Sequence, residues 1–303
     1  MRAAGFFAYG SPNVLQSIEV QAPQAGPGEV RVRVKAAGVQ PFDCAVRSGW
    51  TPPGATVQFP QIVGNEFAGT IDQLGDGVTG FTIGQEVLGY RMLGCNAEYV
   101  VVGWEQIVLK PESMPWEVAA SLSASGQTAH TAMEELGVGK GDTVLIHGAA
   151  GGVGTVAVQI AKSLGATVIG TASEANHEYL RTLGAIPVRY GEGLRERIKQ
   201  LAPEGVDVAF DAAGDEALRV SLEVAKSKDR IGTIVAFELA ASLGIRSIRS
   251  KRSAARLQEL VNLYVAGQLK LHVRKTYSLE RAAEAHEEME RGHGCGKIVI
   301  LID

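Results

Sequence analysis

The chain has 303 residues, 46% of them hydrophobic and 20% charged, which is the balance of a globular protein with a substantial core. A formal net charge of −4 gives no reason to expect nucleic acid or an acidic membrane as a partner. Three widely spaced cysteines, Cys44, Cys95 and Cys295, make neither a disulfide framework nor a Cys-x-x-Cys site and fit a cytoplasmic protein; the opening MRAAGFFAYGSP is too weakly apolar for a signal peptide, and no apolar run reaches spanning length.

The first part of the chain reads as β-rich. In GEVRVRVKAAG, Val30, Val32 and Val34 alternate with Arg31, Arg33 and Lys35, the pattern of a half-exposed strand. Turn signals (SPN, GPGE, PPG, GDG) recur through residue 103. Near Pro111 the character changes: Ser113 and Pro115 read as a helix start, and the Ala-rich ASLSASGQTAHTAMEEL follows. From residue 143 strands and helices alternate: TVLIH, a helix, TVIGT, a helix over 176–183, IPVRY, a helix over 194–201, DVAFDAAG, a helix over 215–225, and GTIVAF. This alternation predicts a doubly wound parallel sheet. Near the end Ala282, Ala285, His286 and Met289 form an apolar helical stripe, which makes His286 a packed residue rather than a catalytic one.

The most informative stretch is TVLIHGAAGGVGTVAVQIAKSLGATVIGTASE, 143–174: strand, tight turn, helix, strand. Its turn, Ala149-Ala150-Gly151-Gly152-Val153-Gly154, is the dinucleotide fingerprint with Ala149 in the first glycine's place. Gly151 allows backbone to approach a pyrophosphate, Gly154 allows helix and strand to pack closely, and the helix start offers free N–H groups to phosphate. An NAD site usually carries Asp or Glu at the end of the second strand. Thr171, Ala172 and Ser173 stand there instead, which favours NADPH; Glu174, if it points inward, favours NADH.

HGAAGGVG with the TAS strand end resembles the zinc-independent quinone oxidoreductases of the medium-chain dehydrogenase/reductase superfamily. So do AAGVQPFDCAVRSG (36–49), VGNEFAGTIDQLGDGVTGFTIGQEV (63–87), FDAAGDEALRVSLEVAKSKDRIGTIVAF (210–237) and LERAAEAHEEMERGHGCGKIVIL (279–301), so the resemblance runs nearly end to end. It implies an α/β protein: a GroES-like β-rich catalytic domain from 1–113 and 268–303, and a Rossmann NADP(H)-binding domain over 114–267. It further implies that Ser173, His177 and Tyr190 surround the adenosine 2′-phosphate, that Ala213 and Phe237 also meet the cofactor, and that GIRSIRS (244–250) pairs with its copy in a homodimer. In that strand Ile245 and Ser247 are expected on one face, Arg246 and Ile248 on the other.

Zinc-dependent relatives place Cys where Gln40 stands and His-Glu where Asn65-Glu66 stands, and these amides are poor zinc ligands; no metal is expected. Cys44, four residues beyond Gln40, reads as a small buried residue. The implied reaction is hydride transfer from NADPH to a quinone or α,β-unsaturated carbonyl, with charge on the acceptor oxygen met by hydrogen bonds. Gln40 is the first candidate donor, although the family usually has Asn there. Asn65 is a second candidate, and Tyr90 either donates a proton or lines the cleft. Asp43 and Arg47 are candidates too, unless they pair along a helix. An enoyl-thioester reductase of acyl or polyketide assembly is the alternative, with Arg246, Arg249, Lys251 and Arg252 as a basic mouth or simply a solvated face. A nucleotide-binding protein without catalysis is the third reading. Short segments after Tyr90 and over 237–250 suggest an open cleft.

Overall fold

The computed structural model describes residues 1–292 and 294–303; His293, within the C-terminal stretch of resemblance, lies outside the described residues. The chain opens with β1 (Arg2–Phe6), β2 (Gln16–Glu19) and β3 (Glu29–Val39), then α1 (Pro41–Arg47), β4 (Gln61–Ile62), β5 (Glu66–Leu74), β6 (Glu86–Tyr90), β7 (Tyr99–Gly103) and β8 (Ile107–Leu109). In β3 Val30, Val32 and Val34 are buried and Arg33 is exposed, as the alternation requires. Beyond Lys35 both faces of the strand are buried, and its edges are paired within a seven-stranded sheet. There it pairs antiparallel with β5 and with β7.

Two short helices follow, α2 (Trp116–Ala119) and the longer α3 (Ser123–Glu135). The alternating half then runs β9 (Thr143–His147), α4 (Gly152–Ser163), β10 (Thr167–Ala172), α5 (His177–Thr182), β11 (Ile186–Arg189), α6 (Leu194–Leu201), β12 (Val208–Asp211), α7 (Asp215–Val224), β13 (Ile231–Thr233), α8 (Phe237–Leu243), β14 (Arg246–Ser247) and α9 (Ala254–Val265). Its six strands are all parallel, in the order β11-β10-β9-β12-β13-β14. The chain starts in the middle, winds to one edge, then crosses back to the other. A ligand crevice forms beyond the carboxyl ends of the strands where the winding reverses, between β9 and β12.

The chain then returns to the first sheet with β15 (Val273–Ser278), α10 (Ala282–Arg291) and β16 (Lys297–Leu301), and β16 lies antiparallel to β3. Ala282, Ala285 and His286 of α10 are buried, the stripe read from the sequence.

Two local expectations are corrected. The strand expected over GTIVAF stops at Thr233, and Phe237 begins α8. GIRSIRS yields a strand of two residues, and its faces do not alternate as expected. Ile245 and Ile248 are both buried, while Arg246 and Ser247 are exposed. Gly244 closes α8 at a positive φ of 63°, and Ile245 N bonds back to Ala240 O, which seats Ile245 under the helix it has just left.

Candidate active site

The nucleotide side of the cleft grows from the turn between β9 and α4. Strand β9 is apolar from Val144 to Ile146 before His147, and the turn then bends sharply because Gly148 adopts a φ of 67°. A Cβ on Gly154 would overlap Gly148 O and the Ala149 backbone, so only glycine lets α4 start this close to the strand. Beyond the turn lies a cavity of about 630 Å³. Gly151, Ser173, Asn176, Tyr190 and Ala213 are among its lining residues. His147 also lines it, buried, its Nε2 3.1 Å from Ser221 Oγ and its Nδ1 3.3 Å from Thr171 Oγ1. Burial lowers its pKa to about 4, so it is neutral.

Glu174 does not line this cavity; it is exposed and paired with Arg189 at 3.3 Å. Asn176 Nδ2 donates to Ser173 Oγ at 3.2 Å, which ties the end of β10 to the start of α5. His177 does not line the cavity, and its Nε2 is buried without a hydrogen-bond partner. Phe237 is also absent from the lining; Arg249 stacks over its ring at 5.1 Å. Ala149 and Gly154 serve the turn from behind. Gly152 faces elsewhere: a Cβ there would lie 2.9 Å from both Lys297 Cδ and Ser125 Oγ.

That contact leads to the other side. Gln40 caps α1, and Asp43 Oδ2 accepts from Gln40 N at 2.8 Å. Gln40 Nε2 donates to Glu66 Oε1 in a very short bond. A carboxylate only accepts, so this bond fixes which end of the amide is nitrogen. Glu66 is fully buried at the start of β5 and accepts from Lys297 Nζ at 3.0 Å and from Ala124 N at 2.6 Å. Lys297 Nζ also donates to Ser125 Oγ at 2.7 Å. Four segments, the start of α1, β5, α3 and β16, thus share one buried ion pair. A Cβ on Gly38 would overlap Glu66 Oε1 and Ala120 O, so glycine in β3 makes room for the carboxylate. The glycine turn is bound to the same strand, because Gly296 N donates to Ala150 O at 2.9 Å.

Tyr90 stands directly across from Glu66 in the β5–β6 ladder, which puts both side chains on one sheet face. It is half-buried, and burial raises its phenol pKa, keeping it protonated. Asn65 is buried, with Oδ1 unpartnered, and its backbone carbonyl accepts from Arg252 Nη1 at 3.1 Å. The guanidinium of Arg252 lies 5.8 Å from the Tyr90 ring centre. Gln40, Asn65 and Tyr90 therefore come together around Glu66 and Arg252.

Asp43 and Arg47 do not form a helical pair. Asp43 accepts from the backbone N–H groups of Gln40 and Gly64, and burial pushes its pKa up to about 7. Arg47 is buried and pairs with Glu290, donating also to Gly10 O. Side chains on α1 meet partners from other segments before they meet each other. The four basic residues do not make one open mouth either. Arg246 donates to Glu135 O, Lys251 pairs with Glu135 at 2.7 Å, and Arg252 turns toward Tyr90. Glu66, Lys297 and Ser125 are not among the residues the sequence singles out, and Arg252 enters there only as part of the basic run. Glu66 has a signal as the neighbour of Asn65, whereas nothing in the sequence marks Lys297 or Ser125. Cys44 and Cys95 are buried, and no described cluster of three His, Cys, Asp or Glu side chains is placed to hold a metal. No described helix is long and apolar enough to cross a membrane.

Two family models match: the alcohol dehydrogenase GroES-like domain over residues 26–112 and the zinc-binding dehydrogenase domain over 183–300. The chain is 31% identical to a quinone oxidoreductase of Pseudomonas aeruginosa, over 98% of each chain. It is 32% identical to a 2-haloacrylate reductase of a Burkholderia species, over 99% of this chain and 98% of the other. The crystal structure of Escherichia coli quinone oxidoreductase complexed with NADPH superposes with a TM-score of 0.89 at 25% identity, over 99% of this chain and 100% of that one. The two bodies are thus a GroES-like domain and a Rossmann domain, and the chain belongs to the quinone oxidoreductase family of the medium-chain dehydrogenase/reductase superfamily.

Proposed function

We propose that this oxidoreductase uses NADPH to reduce a quinone or an α,β-unsaturated carbonyl, and that it does so without zinc. The observation that carries the reading is the junction just described: the glycine-turn cavity abuts the buried Glu66–Lys297 pair through Gly152 and Gly296. The residues fit the cofactor. Gly151 lines the cavity, and a Cβ there would meet only Gly148 O, at 3.3 Å, so its backbone is open to a pyrophosphate. Ser173, Asn176 and Tyr190 offer neutral polar groups to the adenosine end, and Glu174 is held outside by Arg189; both features favour a 2′-phosphate. NADPH, when bound, supplies the hydride.

The remaining work falls to side chains. Gln40 has one amide N–H committed to Glu66, which orients the second toward an acceptor oxygen without adding ground-state charge. Tyr90, held protonated by burial, is the proton donor. Asn65 bounds the same space. In place of zinc's Lewis acidity the site offers amide and phenol donors, which suit an acceptor that is already electron-poor. We also propose a homodimer through the open edge of β14, the last strand of its sheet; a monomer mass by light scattering contradicts it.

An acceptor screen tests the function. NADPH oxidation is followed with a quinone, a small enone and a crotonyl thioester, and repeated with NADH. Reduction of quinone or enone with preference for NADPH is expected. Turnover of the thioester alone makes the protein an enoyl-thioester reductase, and no turnover with any acceptor removes the catalytic reading.

A further inference from the structure

Arg252 is the unexplained charge of the acceptor side. Its neighbours in the basic run are accounted for: Arg246 caps the end of α3 through Glu135 O, Lys251 pairs with Glu135, and Arg249 covers Phe237. Arg252 makes one hydrogen bond, to Asn65 O, and no carboxylate stands within ion-pair distance among the described residues. Glu66, the nearby acid, is already occupied by Gln40, Lys297 and Ala124. A guanidinium has five N–H donors in a planar fork, so most of this one's capacity is unspent. Burying a cation without a partner is costly.

The side chain is also held in place. Lys251 N donates to Thr131 Oγ1 at 3.1 Å and Ser253 N donates to Gln127 Oε1 at 2.7 Å. Both acceptors are buried in α3, so the backbone is pinned on either side of Arg252. A fixed, half-buried, underpaired guanidinium beside the Tyr90 ring is built to receive an anion.

We infer that Arg252 is the specificity-determining residue of the acceptor site and that the preferred acceptor carries a carboxylate conjugated to its reducible C=C bond. The inference rests on the reductase function proposed above. A free carboxylate makes a C=C bond a poor electron acceptor; a bidentate guanidinium offsets that charge and restores it. Reduction adds a hydride at the β-carbon and a proton at the α-carbon, converting C=C to C–C. The two electrons come from NADPH, which leaves as NADP⁺.

The test compares (E)-4-oxopent-2-enoate with its methyl ester, two enones that differ in one charge. The unaltered enzyme is expected to favour the acid by about 10-fold or more in kcat/KM, the scale of a hydrogen bond to a charged group. Arg252→Met keeps the apolar stem and should bring the acid-to-ester ratio to about one, chiefly through KM for the acid. The ester rate should fall much less than the acid rate, and the NADPH Kd from fluorescence should stay within about threefold. Arg252→Lys should fall between. If Arg252→Met does not fold, the unaltered enzyme's ratio and the Lys variant decide. An ester rate that falls as far as the acid rate, an NADPH Kd that weakens in step, or an unaltered enzyme preferring the ester each overturns the inference. No NADPH oxidation with either probe or with a simple quinone overturns the proposed function, and this inference with it.

Discussion

Around the glycine turn Gly151, Ser173, Asn176 and Tyr190 give the cavity a backbone and neutral polar lining beside the acids Asp215 and Glu216, and Glu174, at the end of β10, is exposed and held aside by Arg189. Around Glu66 the polar work is done by buried ions, with Lys297, Gln40 and Ala124 N on the carboxylate and Ser125 on the Lys297 ammonium. The nucleotide side can be altered one group at a time at small cost, because solvent replaces what is removed. The acceptor side cannot, because any deletion leaves a charge in a dry place.

Lys297→Met should show this most strongly. It leaves Glu66 buried without its cation, and breaking a buried pair costs about 3–5 kcal/mol. Urea denaturation should show that loss, and the double variant with Glu66→Gln should recover part of it. A single-variant loss below about 1 kcal/mol, the surface-pair range, would erase the contrast between the two sides. Gln40→Ala comes next. On the proposed mechanism it lowers kcat and kcat/KM together by ~100-fold, with NADPH affinity little changed. A rise in KM alone would make Gln40 a binding residue.

The same difference decides what the sequence discloses. The nucleotide side is local: strand, turn, helix and strand follow one another within 143–174, so periodicity and glycine spacing suffice to place Gly151 and Gly154. Asn176 lines the cavity where the resemblance implies His177, because which of two adjacent residues faces a cavity depends on how the chain enters α5. The acceptor side is assembled from positions 40, 66, 125, 252 and 297, on separate segments. No spacing rule joins Lys297 to Glu66; only the antiparallel packing of β16 on β3 and of β3 on β5 does. Arg252 sat in a run of basic residues that reads equally as a solvated face, and its inward turn depends on Thr131 and Gln127.

Acid acts on the fold through two buried histidines. Burial lowers His147 to about 4 and His286 to about 3, with Arg47 adding to the latter. Both values lie below the unfolded value of about 6.5, so the unfolded chain takes up protons first. The stability these groups confer is full above about pH 6.5 and is lost as pH falls toward the folded values, at about 1.4 kcal/mol per pH unit for each. Asp43 acts oppositely: its folded pKa of about 7 exceeds its unfolded one, so its contribution falls as pH rises from about 4 to 7. His286→Leu should remove one histidine's share of the acid slope in urea melts between pH 4 and 6.5. An unchanged slope would mean that His286 is protonated in the fold.

The smallest effects belong to the open side. Asn176→Ala should weaken NADPH by about 1 kcal/mol and leave NADH unchanged, while His177→Ala should leave both within about twofold. Fluorescence titration measures all four affinities. A larger loss at His177 would return the phosphate contact to that side chain.

The central claim is that amide and phenol donors, not a metal, meet the charge on the acceptor. Steady-state NADPH oxidation with an enone, before and after exhaustive chelation and with metal content measured on the same sample, tests it most directly. The account predicts an unchanged kcat/KM in protein free of zinc. Activity that disappears on chelation and returns with added zinc would contradict it.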